Sequence, residues 1–258
     1  MSQLYFQCAA RSAVGLVRNG NEDSALVGSQ LIAVADGMGG HAGGEFASSV
    51  AINTLAEIAP TFINSEIDHE SASDLFLNSL HPIDSQIHAV PQDEPQLAGM
   101  GTTLTALFIS ASEISLLHVG DSRAYRLRGN ELEQLRADHT VLQELLNKGI
   151  ISQSEAHIHP QRSMLTQALM GEGNLEPSLH IFEGKNKARN LICSDGLTGV
   201  LSDKEINSLI KGKDATAAVD ALIDATYING APDNVTVILA DLVEASDNGV
   251  EKLGAAKA

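Results

Sequence analysis

Cysteine is nearly absent from this chain: only Cys8 and Cys193 occur in 258 residues. Two isolated cysteines give neither a disulfide framework nor a metal-type spacing, and both read as small apolar side chains or plain thiols. Long apolar runs are missing as well. No stretch reaches the roughly 18 uninterrupted apolar residues of a membrane-spanning helix. Met1 to Cys8 lacks the basic start and apolar run of a signal peptide. The chain therefore reads as cytoplasmic, with no membrane segment of its own; an anchor beyond Ala258 is left open. Basic residues are scarce: 16 Lys and Arg face 33 Asp and Glu, for a net charge of −17. Such a surface repels nucleic acid and anionic lipid, so neither is an expected partner. Internal repeats are absent. Residues 246–258 (SDNGVEKLGAAKA) are polar, small and aperiodic, and read as a frayed tail or linker after a domain over 1–245.

What is present is an ordinary globular composition, 43% apolar, long enough for a substantial core. Strands are expected at Gln30–Ala35, Thr103–Ile109, Glu113–Val119, Arg123–Leu127, Glu131–Leu135, Ala188–Cys193 and Asn234–Leu242. Ser110-Ala111-Ser112 and Arg128-Gly129-Asn130 read as hairpin turns. Phe46, Val50, Ala51, Leu55 and Ile58 predict one apolar helix face over 44–59. Phe76, Leu80, Ile83 and Ile87 predict a second helix over 74–89, kinked or split by Pro82. A short helix around Val141–Leu146 ends at Gly149, Ser202-x-x-Glu205 is a capping box opening a helix over 203–210, and another helix spans 216–228. Strands joined by tight turns argue for antiparallel sheets. The expected fold is α+β: two antiparallel sheets face to face, with helix pairs on both flanks.

Aspartates recur where apolar runs end: Ala35-Asp36-Gly37, Gly120-Asp121-Ser122, Ser194-Asp195-Gly196 and Pro232-Asp233-Asn234, with Asn21-Glu22-Asp23 beside the first strand. Singly, each is turn chemistry. Together, carboxylates at strand ends can converge on one rim of a sheet sandwich, where they repel unless a cation separates them. All-oxygen ligands favour hard cations such as Mg²⁺ or Mn²⁺ over zinc. Asp36 has two oxygens and can bridge two ions, and Gly37 can turn its carbonyl towards a metal. Two ions about 3.5–4 Å apart can activate a shared water for phosphate ester hydrolysis. Arg18, placed at the end of the first strand, suits phosphate binding, since a guanidinium grips phosphate oxygens in pairs. A plain cation store has no use for that charge.

The ordered segments GLVRNGNEDS, VADGMGGHAGGE, MGTTLTAL, HVGDSRAYRL, HPQRSMLTQALMG, ICSDGLTGVL and APDNVTVILADL resemble the protein phosphatase 2C (PPM) family over about residues 9–242. The likeness is to the bacterial branch that opposes Hanks-type Ser/Thr kinases. The resemblance implies a four-layer α-β-β-α sandwich with a small flap at about 139–170. It implies a metal-dependent Ser/Thr protein phosphatase in which a metal-bridging water or hydroxide attacks phosphorus and no phosphoenzyme forms. Asp36, Asp195 and Asp233 would hold one ion, Asp36 and the Gly37 carbonyl a second, and Asp121 with Asp195 a weaker third. Glu22 and Asp23 would orient waters, Arg18 would bind the phosphate, and Asn234 would steady Asp233. His159, Arg162 and Ser163 in the flap are candidates for substrate or gating contacts. The family's eukaryotic pattern has His where this chain has Met38. The proton donor is then either His41 or a metal-bound water.

Rival phosphatase chemistries do not fit. Cysteine-dependent catalysis needs Arg six positions after Cys, where this chain has Val14 and Gly199. An aspartyl-phosphate route wants Asp-x-Asp, and Asp36 is followed by Gly37-Met38. Two variants of the reading stay open: a narrow regulator acting on one phosphorylated partner, and a pseudophosphatase that binds without turnover. Expected partners are phosphorylated Ser/Thr proteins and a cognate kinase, with the chain itself a monomer. Mn²⁺ and Mg²⁺ are not distinguished.

Overall fold

The structure, a computed structural model, describes residues 3–257 except 41, 64–65, 153–154, 156–158, 160, 162–163, 176–178 and 246–248. Strands are β1 (Tyr5–Ala13), β2 (Asp23–Val27), β3 (Leu31–Met38), β4 (Gly101–Thr102), β5 (Leu104–Ser110), β6 (Glu113–Val119), β7 (Arg123–Arg128), β8 (Glu131–Gln134), β9 (Leu179–Glu183), β10 (Arg189–Cys193), β11 (Val235–Val243) and β12 (Glu251–Gly254). Helices are α1 (Gly43–Ile58), α2 (His69–Asn78), α3 (Leu80–Asp93), α4 (Val141–Asn147), α5 (Asp195–Thr198), α6 (Asp203–Ile210) and α7 (Ala215–Ile228).

Two sheets form, ordered β1-β11-β10-β7-β8 and β12-β2-β3-β5-β6-β9, with β4 pairing β3. The pairings are antiparallel, as the tight turns predict. The two-residue period of each strand sorts its side chains between layers. On β3, Ile32 and Val34 face the other sheet, packing with Phe6, Leu107 and Ile238. Their neighbours Ala33 and Ala35 face outwards, against α1 and α3. On β11, Ile238 and Ala240 point between the sheets, while Val237 and Leu239 pack on α6 and α7. Three apolar layers thus separate helices, sheet, sheet and helices. Phe62, Phe76 and Phe108 meet in the outer layer with ring centroids 5.1–5.6 Å apart, a geometry that adds to their burial.

Two expectations need correction and one needs its position moved. The buried face of α1 is Gly43, Gly44, Ala47, Ser48, Ala51, Ile52 and Leu55, whereas Phe46 is 40% exposed. Small side chains win that face because the helix lies close on β3: a Cβ on Gly37 would stand 1.9 Å from the Gly44 carbonyl oxygen. The expected split of the 74–89 helix occurs, but at Ser79, where α2 and α3 meet, rather than at Pro82. Pro82 then falls in the first turn of α3, where its missing N–H costs nothing. The tail is not frayed over Glu251–Lys257: β12 pairs with β2, and Ala255 and Ala256 are buried. Its small residues are packing residues, which composition alone cannot distinguish from linker. Among the described residues no helix is long and apolar enough to cross a membrane.

Candidate active site

The strand-end acids do converge. Asp23 opens β2 and stands opposite Asp36 near the end of β3. Asp121 follows β6, Asp195 follows β10, and Asp233 precedes β11, whose register puts its start beside the end of β10. A cleft of about 500 Å³ collects Arg18, Glu22, Asp36, Gly37, Asp121, Asp195 and Asp233 at this rim, with Thr103, Thr166 and Gln167 on its walls. The first sheet therefore supplies Asp195 and Asp233, and the second supplies Asp36 and Asp121.

Backbone and side-chain clamps hold the acids there. The Asp36 N–H donates to Thr103 Oγ1 at 2.9 Å, and Thr102 Oγ1 donates to the Asp36 carbonyl at 2.9 Å. Ser194 Oγ donates to Asp23 Oδ2 at 2.7 Å, joining the two sheets. Asn234 is 4% exposed; its N–H donates to Asp233 Oδ1 at 2.8 Å and its side chain makes three bonds. Its Oδ1 accepts from the Glu22 N–H at 2.8 Å, and its Nδ2 donates to the carbonyls of Val14 and Gly20 at 2.9 and 2.8 Å. That one amide fastens the loop carrying Arg18 and Glu22. Gly196 gives Asn234 room, since a Cβ there would lie 1.8 Å from the Asn234 carbonyl oxygen.

Gathering these charges is electrostatically uphill. Burial first, then repulsion from Asp23, Asp195 and Asp121, holds the Asp36 carboxyl well above the usual carboxylate range. Burial and Asp233 likewise raise Asp195. Burial, with Asp195 and Asp138, pushes Asp121 up to about 7. Asp23 also rises to about 7, burial outweighing its bonds from Ser194 and Thr236, and its Oδ1 is buried without a partner among the described residues. Burial raises Glu22 as well. A divalent cation is the physical remedy for such a cluster, and an all-oxygen donor set fits a hard one. Among the described residues no three His, Cys, Asp or Glu side chains form a ready-made cage. A cation here would complete its shell with backbone oxygen and water, as Mg²⁺-like ions do.

Arg18 lies in the loop after β1, five residues beyond the strand's last residue, Ala13, rather than at its end. It is exposed and ion-paired to Asp233 Oδ2 at 2.7 Å, a bond that raises its pKa further. His159 accepts a bond from the Gln161 N–H and does not line the cleft. His41, Arg162 and Ser163 fall outside the described residues. Sequence reasoning missed Thr103 and His139. The Thr102-Thr103 pair directly after Gly101 was the available signal for the first. His139 Nδ1 accepts from the Gly120 N–H at 3.2 Å while its own N–H donates to the Gly120 carbonyl at 2.8 Å, fixing the turn that carries Asp121. Nothing local in Asp138-His139-Thr140 announces that. Cys193 is buried and its thiol is pushed up to about 12, so it offers no thiolate.

The sequence profile of protein phosphatase 2C matches residues 20–240. The chain is 43% identical over 244 residues to the serine/threonine protein phosphatase PstP of Mycobacterium tuberculosis, covering 93% of this chain and 46% of that protein. It thus spans about half the length of that relative. The serine/threonine phosphatase stp of Listeria welshimeri is 34% identical over 237 residues, 90% of this chain and 94% of the other. A solved catalytic domain of PstP in complex with two manganese ions superposes with a TM-score of 0.83 at 40% identity, covering 93% of this chain and all of that one.

Proposed function

Because this chain belongs to the protein phosphatase 2C family, we propose that it is a divalent-cation-dependent phosphatase acting on phosphoserine and phosphothreonine in proteins. One observation carries the reading: Asp36, Asp121, Asp195 and Asp233 meet Arg18 in a single cleft. The two-manganese complex of a relative supports the cation class.

Asp36, Asp195 and Asp233 would hold one ion, Asp36 and the Gly37 carbonyl a second, and Asp121 with Asp195 a third. Bound there, Mn²⁺ or Mg²⁺ would supply a water of lowered pKa and positive charge for the phosphoryl oxygens. Glu22 and Asp23 accept hydrogen bonds from water and orient it. Arg18 leaves Asp233 and grips two phosphate oxygens, which favours the trigonal, charge-spread transition state. The Thr103 and Asn234 clamps keep these groups in place without reorganisation. In this reading water attacks phosphorus directly, without a phosphoenzyme. We extend the reading to reversing Ser/Thr kinase signalling in a bacterial cytoplasm, with the chain acting as a monomer.

The test is phosphate release from a phosphothreonine peptide by metal-stripped protein. Release that requires millimolar Mn²⁺ and stops with excess chelator is expected. Folded protein that releases nothing with either Mn²⁺ or Mg²⁺ would reject the enzyme reading in favour of a phosphoprotein-binding pseudophosphatase.

A further inference from the structure

A second and larger concavity, about 890 Å³, opens from the far side of the same acids: Asp121, Asp195 and Asp233 line both it and the cleft. One wall is α4, which presents Leu142 and Leu146; the other is formed by Gly199, Val200 and Leu201. The α4 sequence Val-Leu-Gln-Glu-Leu-Leu-Asn places four apolar residues in two turns, yet no residue of this helix is buried. Val141, Leu142, Leu145 and Leu146 are each only half-buried, so the helix keeps apolar surface that it does not fully cover. It is held at its start, where Thr140 Oγ1 accepts from the Gln143 N–H and the Val141 N–H donates to the Met164 carbonyl. Part of the groove's floor is paired: Asp138 takes three bonds from Arg123 at 2.7–3.0 Å, and Asp203 accepts from Tyr125. The rest of the lining is mixed, with Lys204, Gln143 and Thr198 beside the acids, and Leu142, Leu146 and Val200 give it an apolar strip.

We infer that this groove seats an apolar side chain of the substrate polypeptide, a few residues from the phosphorylated one, with Leu142, Leu146 and Val200 determining specificity. The inference rests on the phosphatase reading. Continuity with the cleft selects the occupant: Asp121, Asp195 and Asp233 line both concavities, so a chain whose phosphate lies in the cleft can extend into the groove. The preferred substrates are phosphoproteins carrying leucine-, isoleucine- or methionine-like residues near the phosphoresidue.

The experiment compares kcat/KM of the Mn²⁺-loaded full chain on phosphothreonine peptides in a Ser/Gly background. One Leu is moved through four positions on either side of the phosphoresidue. At one or two positions Leu should improve kcat/KM about tenfold, as partial burial of a leucine side chain allows. Leu146→Gln should erase that preference while p-nitrophenyl phosphate, too small to reach the groove, is hydrolysed at the unsubstituted rate. Val200→Thr, a smaller change on the opposite wall, should weaken the preference in the same direction and guards against misfolding of α4. A flat Leu scan with good turnover would overturn the inference while leaving the phosphatase reading intact. Loss of turnover on neither peptide nor p-nitrophenyl phosphate, but of a concentration-dependent dimer in Leu146→Gln, would assign the groove to a second copy and overturn it too. No hydrolysis of any substrate by the unsubstituted protein would instead reject the underlying phosphatase reading.

Discussion

Replacing Asp121 by asparagine should strengthen the metal-free fold while damaging the site. The Asp121 carboxyl is raised from 3.8 to about 7, burial being the larger cause and repulsion from Asp195 and Asp138 the next. A carboxyl with a raised folded pKa binds more protons folded than unfolded. Its effect on stability is therefore harmless below pH 3.8 and grows unfavourable as pH rises through about 7. At ~1.4 kcal/mol per unit, the ionised group opposes folding by ~4 kcal/mol at pH 8 and by under ~2 kcal/mol at pH 5. Asn is close in shape and uncharged, so Asp121→Asn recovers most of this. For a chain of this size the gain is on the order of 10 °C in Tm at pH 8, and much less at pH 5. Both proteins carry nearly the same net charge, so general self-repulsion cancels in the comparison. Thermal denaturation in chelator at the two pH values measures the effect. Repeating it in millimolar Mn²⁺ should narrow the gap, because the cation relieves the unsubstituted protein. A metal-free variant no more stable than its parent at pH 8, or equally stabilised at both pH values, would refute the reasoning.

Asn234→Ala removes three bonds at a buried position and should cost ~3 kcal/mol in urea denaturation, with turnover falling through a loosened Arg18 loop. Asn234→Asp keeps the acceptor for Glu22 but turns a buried carboxylate oxygen towards two carbonyls beside the acid cluster, so it should cost at least as much as Asn234→Ala. Arg18→Ala should raise KM for a phosphopeptide about tenfold and weaken inhibition by inorganic phosphate, with Arg18→Lys restoring only part, since the amine grips one oxygen at a time. Unchanged phosphate inhibition would remove Arg18 from the site. Gly196→Ala forces a methyl against the Asn234 carbonyl at 1.8 Å and should lower Tm and Mn²⁺ affinity, by calorimetric titration, together. A variant with normal Mn²⁺ affinity would show that the clamp does not govern the cluster.

The sheets were legible because their strands are apolar runs bounded by turn residues. Glu131–Gln134, 203–210 and the start of β11 lie within a residue or so of where pattern alone puts them. β2, β9 and β12 were harder: Asp23-Ser-Ala-Leu-Val is short and begins with a charged residue, and β12 is four residues of Glu-Lys-Leu-Gly whose only merit is the free edge of β2. The α1 face failed for a related reason. Counting large apolar residues favours Phe46, but the separation of α1 from β3 is set by Gly37 and Gly44, and only Ala- and Ser-sized side chains fit beneath it. Long-range geometry overrode local periodicity.

The candidate site divides along the same line. Acids at strand ends are visible in one dimension because a strand end is a local property. The clamps are not, because each joins residues far apart in the chain. Ser194 reaches Asp23 across 171 positions and Asn234 reaches Glu22 across 212. Both clamps run from the first sheet to the second, and the acids are divided between the same two sheets. The spacing of Asp36 and Asp121 from Asp195 and Asp233 is therefore fixed by the inter-sheet layer of Phe6, Ile32, Val34, Leu107 and Ile238. That layer is close-packed and resists compression. It holds like charges together at one rim, and a small, doubly charged cation would relieve their repulsion. The apolar core is in this sense part of the site, since it supplies the rigidity against which the carboxylates repel.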